Sequence, residues 1–229
     1  MTMLEQKINT LKENLLAMAG IVEDMVSKSI RALVDRDVSL AGEVIDVEEH
    51  KVNRLEVENE DAAINLIALH QPEASNLRTI TMVIKLNNDL ERIGDHAVNI
   101  AQAALYLAPR RAVKPPADLP RMAAAATAML RDGLNAFTDS NVELARDVCV
   151  RDAEVDELEN RMNRELAAEM ALDPSAIDRA LKLVVVGLNL ERVADLATNI
   201  AEEAIYLASG KTIKHCGRQE EPGSERPER

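Results

Sequence analysis

Aromatic residues are nearly absent from this chain of 229 residues, which has no tryptophan, two tyrosines and one phenylalanine. Sheet sandwiches and barrels usually depend on aromatic and β-branched side chains, so this scarcity argues against an all-β core. The apolar fraction of 47% consists mostly of Leu, Ile, Val, Ala and Met, which suit closely packed helices. The composition therefore favours an all-α protein with one large core or two small ones.

Cysteines and long apolar runs are also scarce. Cys149 and Cys216 are the only cysteines, too few for a disulfide framework in a chain of this size. Charged residues interrupt the apolar pattern of residues 1–20, and no uncharged run reaches the roughly 18 residues that a membrane span requires. We therefore expect a cytoplasmic protein with no signal peptide and no direct membrane insertion.

Positive charge is in deficit, and the motifs of common catalytic sites are missing. The chain has 27 basic and 40 acidic residues, a net charge of −13, which repels phosphodiester backbones and argues against nucleic-acid binding. The sequence contains no Gly-rich phosphate loop, no Ser or Cys nucleophile in a recognisable frame and no catalytic His/Asp spacing. We therefore expect a protein that is not an enzyme.

An internal repeat of about one hundred residues organises the chain. The sequence Leu-Glu-Arg-Ile-Gly-Asp at 90–95 returns as Leu-Glu-Arg-Val-Ala-Asp at 190–195, and Asn-Ile-Ala follows both, at 99–101 and 199–201. Upstream the offset drifts by a few residues, as drift in loops would produce. A duplication of one helical unit explains all of these matches.

Prolines and polar breakers divide each copy into three long helices, predicted in the first copy at 3–34, 38–70 and 72–107. Pro72 and Pro174 are each expected in the first turn of a third helix, with Asp173 as an N-cap. The sequence thus predicts six long helices that form two tandem, pseudo-symmetric antiparallel three-helix bundles. The predicted divisions are copy one at 1–108, a Pro-rich linker at 109–118, copy two at 119–209 and a disordered tail at 210–229.

The third helix of each copy carries acidic side chains on the face opposite its apolar seam. The plainer interpretation of such a ladder is a solvated outer face. The same face is apolar a few turns earlier, however, and a helix that is apolar on two faces is expected to be covered on both. We therefore interpret the ladders as part of a contact surface. The ladders are Glu91, Asp95 and Asn99 with Glu191, Asp195 and Asn199, and the earlier apolar positions are Leu77, Ile80, Ile84, Ile177, Val184 and Leu188.

A second ladder lies on the second helix of each copy, as Glu49 and Asn53 in copy one and as Asp152 and Asp156 in copy two. Carboxylates on facing helices of a bundle are a common way to build a metal site from oxygen ligands. Histidine is not required by the repeat, because His96 is replaced by leucine in copy two. Arg92 and Arg192 point about 100° away from their ladders, so we expect them to be poorly placed to neutralise the acidic side chains.

The motif Leu-Glu-Arg-Ile-Gly-Asp-His-Ala-x-Asn-Ile-Ala at 90–101, together with its repeat, resembles the PhoU proteins, which regulate bacterial phosphate uptake. The resemblance extends over about residues 3–208 and implies two three-helix bundles side by side. It also implies a multinuclear metal cluster on each bundle surface, of Fe, Mn, Zn or Mg. The implied ligands are Glu49, Asn53, Glu91 and Asp95 with Asn99 near them, and Asp152, Asp156, Glu191 and Asp195 with Asn199 near them.

The sequence departs from the family pattern at two positions. Asn53 supplies an amide where the motif has a carboxylate, which predicts a weaker first site. Leu196 replaces the histidine that commonly follows the second aspartate, which predicts an altered surrounding of the second site.

The resemblance implies a cytoplasmic negative regulator of phosphate uptake and of the phosphate-starvation response. Such a protein would couple the phosphate ABC transporter to a sensor histidine kinase and would form a homodimer. Two alternatives stay open at this point. One is a carboxylate-bridged metalloenzyme, and the other is an adaptor for a different transporter, such as a proton- or sodium-coupled phosphate carrier.

Overall fold

Helices account for nearly all of the chain that the computed structural model describes, which is residues 2–111 and 116–209. Those two ranges contain no β-strand, and the predicted all-α fold of two three-helix bundles is confirmed. Residues 112–115 of the predicted linker and the predicted disordered tail at 210–229 lie outside the described residues. The helices are α1 (Met3–Asp35), α2 (Val38–Glu43), α3 (Glu49–His70), α4 (Ala74–Leu107), α5 (Leu119–Asp139), α6 (Val142–Leu172) and α7 (Ile177–Ser209).

Capping residues explain where several helices begin. Thr2 and Glu5 form a capping box at the start of α1, and the Asn141 side chain accepts a hydrogen bond from the backbone of Leu144 in α6. Asp173 caps the short 3₁₀ turn Pro174–Ala176 that leads into α7, as expected. The corresponding expectation for Pro72 is wrong. Gln71 ends α3 in a left-handed conformation, and Pro72 lies in the connection before Glu73, the N-cap of α4.

The second helix of copy one, predicted as continuous over 38–70, contains a π-helical segment at Val44–Glu48 between α2 and α3. The segment ends at Glu48, which is buried and paired with Lys28 of α1; the same ammonium also lies 2.8 Å from carboxylate oxygens of Asp24 and Glu43. In copy two, α6 is unbroken. There an ion pair of opposite polarity joins Arg151 to Asp132 of α5 at 2.8 Å. In each copy, the residue just before the first ladder residue of the second helix therefore forms an ion pair with the first helix. These residues are Glu48, before Glu49, and Arg151, before Asp152.

The two bundles pack against each other through their third helices. Lys85 of α4 lies 2.8 Å from Glu203 near the end of α7, and Asn99 near the end of α4 donates to Asn189 at 3.1 Å. These pairs join opposite ends of the two helices, so α4 and α7 run antiparallel. Asn99, the last residue of the copy-one ladder, consequently lies at the boundary between the bundles.

The spacing of the second and third helices is set differently in the two copies. In copy one, the buried Asn59 donates to Asn87 at 3.0 Å, and Asn87 donates to the backbone oxygen of Glu56 at 2.8 Å. In copy two, Met162 fills the space that Gly187 leaves, because a Cβ on this glycine would meet the methionine methyl at 2.0 Å. A polar contact and an apolar contact thus perform the same packing role beside the two ladders.

The apolar positions opposite the seam are covered less than expected. Ile80 is buried, but Leu77, Ile177 and Leu188 are exposed. The expectation that this face is covered along its length is therefore wrong for the isolated chain over its described residues. Within residues 2–111 and 116–209, no helix is both long and apolar enough to cross a membrane.

Candidate carboxylate site

The second and third helices of copy two bring their acidic ladders together. Asp152 and Asp156 of α6 face α7, and the Thr198 hydroxyl of α7 donates to a carboxylate oxygen of Asp152 at 3.4 Å. Asp195 lies close enough to raise the pKa of both aspartates on α6. The two ladders of copy two thus lie close enough for their carboxyls to interact electrostatically.

Burial and like charges raise the pKa of several carboxyls in this cluster. Burial is the larger cause for Asp152, followed by Asp156 and Asp195, and together they raise its pKa to about 6. Burial and then Asp195 raise the pKa of Glu191 to about 7, with a further contribution from Glu159. The group therefore behaves as a coupled, self-repelling set that gains from a bound proton or cation.

Copy one forms a similar but sparser cluster. Burial raises the pKa of Glu91, and Asp95, Glu56 and Glu49 raise it further. Asn53 is exposed and carries no charge. The copy-one cluster thus contains four carboxyls contributed by α3 and α4, whereas the copy-two cluster contains five contributed by α6 and α7 when Glu159 is included.

Glu56 and Glu159 are site residues that the ladder spacing did not identify. Each lies one turn beyond the ladder of its helix, and the two occupy equivalent positions in the repeat. The charge of Glu56 raises the pKa of Glu91, and the charge of Glu159 raises the pKa of Glu191. The equivalence of these two glutamates in the repeat was the signal that could have revealed them.

Arg192 contradicts the expectation that the arginines next to the ladders are poorly placed to neutralise the acidic side chains. Its guanidinium lies 3.4 Å from a carboxylate oxygen of Glu191 and 3.1 Å from one of Asp195. The rotation of about 100° per residue fixes only the direction of the Cα–Cβ bond. The long arginine side chain bends back over its own helix and reaches both carboxylates. Arg92 behaves differently, because its closest described ion pair is with Asp89, at 3.6 Å.

The two ladder asparagines have different surroundings. Asn99 donates to the amide oxygen of Asn189 in the other bundle, and Nδ1 of His96 lies 2.9 Å from the same oxygen. Asn99 is therefore held at the boundary between the copies. Asn199 is exposed and lines a cleft of about 960 Å³. Helix α4 contributes to the same cleft, which therefore joins the copy-two cluster to copy one. Its charged lining residues are Lys85, Asp89, Arg92, Asp152, Asp156, Arg192, Asp195, Glu202 and Glu203.

The donor set fits a hard cation, but the side-chain positions do not yet form a ligand cage. Carboxylate and amide oxygens are suitable ligands for Mg²⁺, Mn²⁺ or Fe, and carboxylates also bind Zn²⁺. In residues 2–111 and 116–209, no three His, Cys, Asp or Glu side chains are close enough together to hold one ion. Binding would require carboxylate rotations and the release of Arg192 from Asp195. The metal site of either copy thus stays a prediction.

The raised pKa values predict that the metal-free protein loses stability as the pH rises. Glu191 shifts from its ordinary value of 4.5 to about 7, and Asp152 shifts from 3.8 to about 6. A folded state that binds protons more tightly than the unfolded state is favoured at low pH. The contribution is therefore complete below about pH 4 and is lost as the pH rises through about 6 to 7.

We expect the variant with Glu191→Gln and Asp152→Asn to resist urea better than the parent at about pH 8, and equally at about pH 4. Unfolding followed by circular dichroism in the presence of a chelator measures this difference. Glu60→Gln, an exposed substitution on α3, removes a charge outside the cluster and serves as the control. An advantage of the double variant that does not change with pH would contradict the electrostatic account.

Comparison with known proteins places both copies in one family. The PhoU domain matches residues 15–104 and 119–204. The chain is 36% identical over 212 residues to the phosphate-specific transport system accessory protein PhoU homolog 2 of Thermotoga maritima, covering 93% of this chain and 90% of the relative. It is 35% identical to the PhoU homolog of Pseudomonas aeruginosa, covering 92% of this chain and 87% of the relative.

Solved structures agree with the sequence comparison. The crystal structure of PhoU from Pseudomonas aeruginosa superposes with a TM-score of 0.87 at 34% identity, covering 90% of this chain and 99% of that one. The crystal structure of the phosphate transport system regulatory protein PhoU from Streptococcus pneumoniae superposes with a TM-score of 0.85 at 27% identity, covering 92% and 99%. The likeness extends over both bundles.

Proposed function

The chain belongs to the PhoU family, and on that premise we propose that it is a cytoplasmic accessory protein of phosphate transport that acts as a negative regulator. It limits phosphate uptake and represses the phosphate-starvation response when phosphate is abundant. To do so, it couples the phosphate ABC transporter to a sensor histidine kinase, as a homodimer.

One observation carries this proposal: the similarity to accessory proteins of phosphate-specific transport covers more than nine-tenths of the chain and includes both copies of the repeat. The Streptococcus pneumoniae relative is named as a regulatory protein of that system. A pair of helical bundles with a net charge of −13 offers long, acidic surfaces that suit docking to other proteins.

We also propose that the carboxylate clusters bind metal, with Asp152, Asp156, Glu191 and Asp195 as the stronger site. A bound cation would neutralise the like-charge repulsion that adds to burial in raising the pKa of Asp152 and Glu191. Glu49, Glu91 and Asp95, with Asn53 and Asn99, form the weaker site, because Asn53 brings no charge. A catalytic role is the less favoured alternative, since the ladders lie on the face opposite the apolar seam.

Affinity capture distinguishes the proposed partners from those of another transporter. We expect the tagged chain, recovered from phosphate-replete cells and identified by mass spectrometry, to bring with it components of the phosphate ABC transporter and a histidine kinase. An unrelated acidic helical protein carrying the same tag is the control. Recovery of a proton- or sodium-coupled phosphate carrier in their place would favour the alternative adaptor function.

A further inference from the structure

One face of α7 carries a row of apolar side chains that the described residues leave partly exposed to water. Ile177, Leu181, Val184 and Leu188 follow one another at intervals of four, three and four residues, so they share the face opposite the seam. We call this row the α7 stripe. Ile177 is 39% exposed, Leu181 50% and Leu188 44%, while Val184 is half-buried. Single exposed leucines are ordinary, but a continuous row indicates an interaction surface.

The α7 stripe continues directly into the copy-two carboxylate cluster. Glu191 and Asp195 occupy the next two positions of the same face, and Asp152 and Asp156 of α6 lie beside them. Arg192 offsets part of this negative charge. The combined surface is therefore apolar along the first half of α7 and negatively charged along the second half.

Copy one keeps apolar side chains at the first and third positions of this row, Leu77 and Ile84, but shows that the fold does not require them at the second and fourth. The positions of α4 that correspond to Leu181 and Leu188 hold Thr81 and Asn88, both exposed. The seam of α4 is buried as the seam of α7 is. Threonine and asparagine therefore suffice for folding at these two positions. The exposure of the copy-two leucines to water is unfavourable unless something covers them.

We propose that the α7 stripe and the copy-two carboxylate cluster, in the metal-free protein, together dock an amphipathic, basic helix of a partner protein. The apolar face of that helix covers the stripe, and its Lys or Arg side chains lie over the cluster. Charge complementarity selects this occupant. A second copy of this chain would bring another acidic surface to the cluster, and an anionic lipid surface would be repelled in the same way.

The test uses the metal-free full chain and a labelled synthetic helix that has leucines along one face followed by arginines on the same face. Fluorescence anisotropy should show saturable binding. Leu181→Thr with Leu188→Asn, which installs the copy-one residues, should weaken binding by about tenfold or more. A second peptide with glutamines in place of the arginines should also bind about tenfold more weakly. Val150→Thr, at a 67% exposed position of α6, is the matched control and should bind like the parent.

Several results would overturn the proposal. These are the absence of saturable binding, equal binding by the double variant, and equal binding of the glutamine peptide. A dimer in sedimentation that depends on Leu181 and Leu188, or stripe-dependent binding to anionic vesicles, would show a different occupant. Circular dichroism confirms that the double variant is folded. The proposal extends the regulatory function but is measured on the purified chain, so a regulatory failure in cells would leave the binding result standing.

Discussion

Replacing Asp152 and Asp195 together by alanine is expected to remove tight metal binding from copy two. These aspartates come from two neighbouring helices, and Asp195 raises the pKa of both Asp152 and Glu191. Changes in the surroundings of a metal ligand already weaken metal binding about 10–100-fold, so the loss of two ligands should weaken it by more than ~100-fold. Metal content by mass spectrometry, after reconstitution with iron, manganese or zinc, measures the effect.

A matched control removes two charges from the same helices without touching the cluster. Glu154→Ala and Asp178→Ala are suitable, because both residues are exposed on α6 and α7 and Glu154 pairs with Arg121 of α5. This control should retain the metal content of the parent. The site assignment would be contradicted if reconstitution left no bound metal, or if the double variant kept the stoichiometry of the parent.

Arg192→Gln provides an independent check on the same site. The Arg192 guanidinium forms ion pairs with Glu191 and Asp195, so a cation that binds these carboxylates must displace it. Its removal should therefore leave metal affinity unchanged or increase it, although the variant makes the cluster more repulsive in the absence of metal.

The repeat made the architecture predictable from the sequence. Matched motifs one hundred residues apart, with apolar seams in steps of three and four, imply the same helices twice and hence two bundles. The errors arose where local conformation depends on single neighbours. Pro72 resembles Pro174, but only Pro174 follows a capping aspartate. The π-helical segment before Glu49 does not alter the spacing of the apolar residues, so that spacing could not predict it.

The site was predictable along each helix but not between helices. Spacing placed Asp152 with Asp156 on one helix and Glu191 with Asp195 on the next, and these carboxyls interact electrostatically. It could not show that Asn99 is held by Asn189 at the boundary of the two bundles, because the relation of α4 to α7 is not contained in either copy alone. Helical angles also describe only the first bond of a side chain, which is why the reach of Arg192 was missed.

Deletion of the gene is expected to switch on phosphate-starvation genes while phosphate is abundant, to the level that the parent strain reaches only in starved cells. Under the proposed function, the protein holds the histidine kinase in its repressing state, so loss of the protein should remove the signal that phosphate is sufficient. A transcriptional reporter of a phosphate-starvation gene, measured in phosphate-replete medium, tests this most directly. Complementation with the intact gene should restore repression. Unchanged reporter output in the deletion strain, under conditions where starvation still induces the reporter, would contradict the regulatory function proposed for this protein.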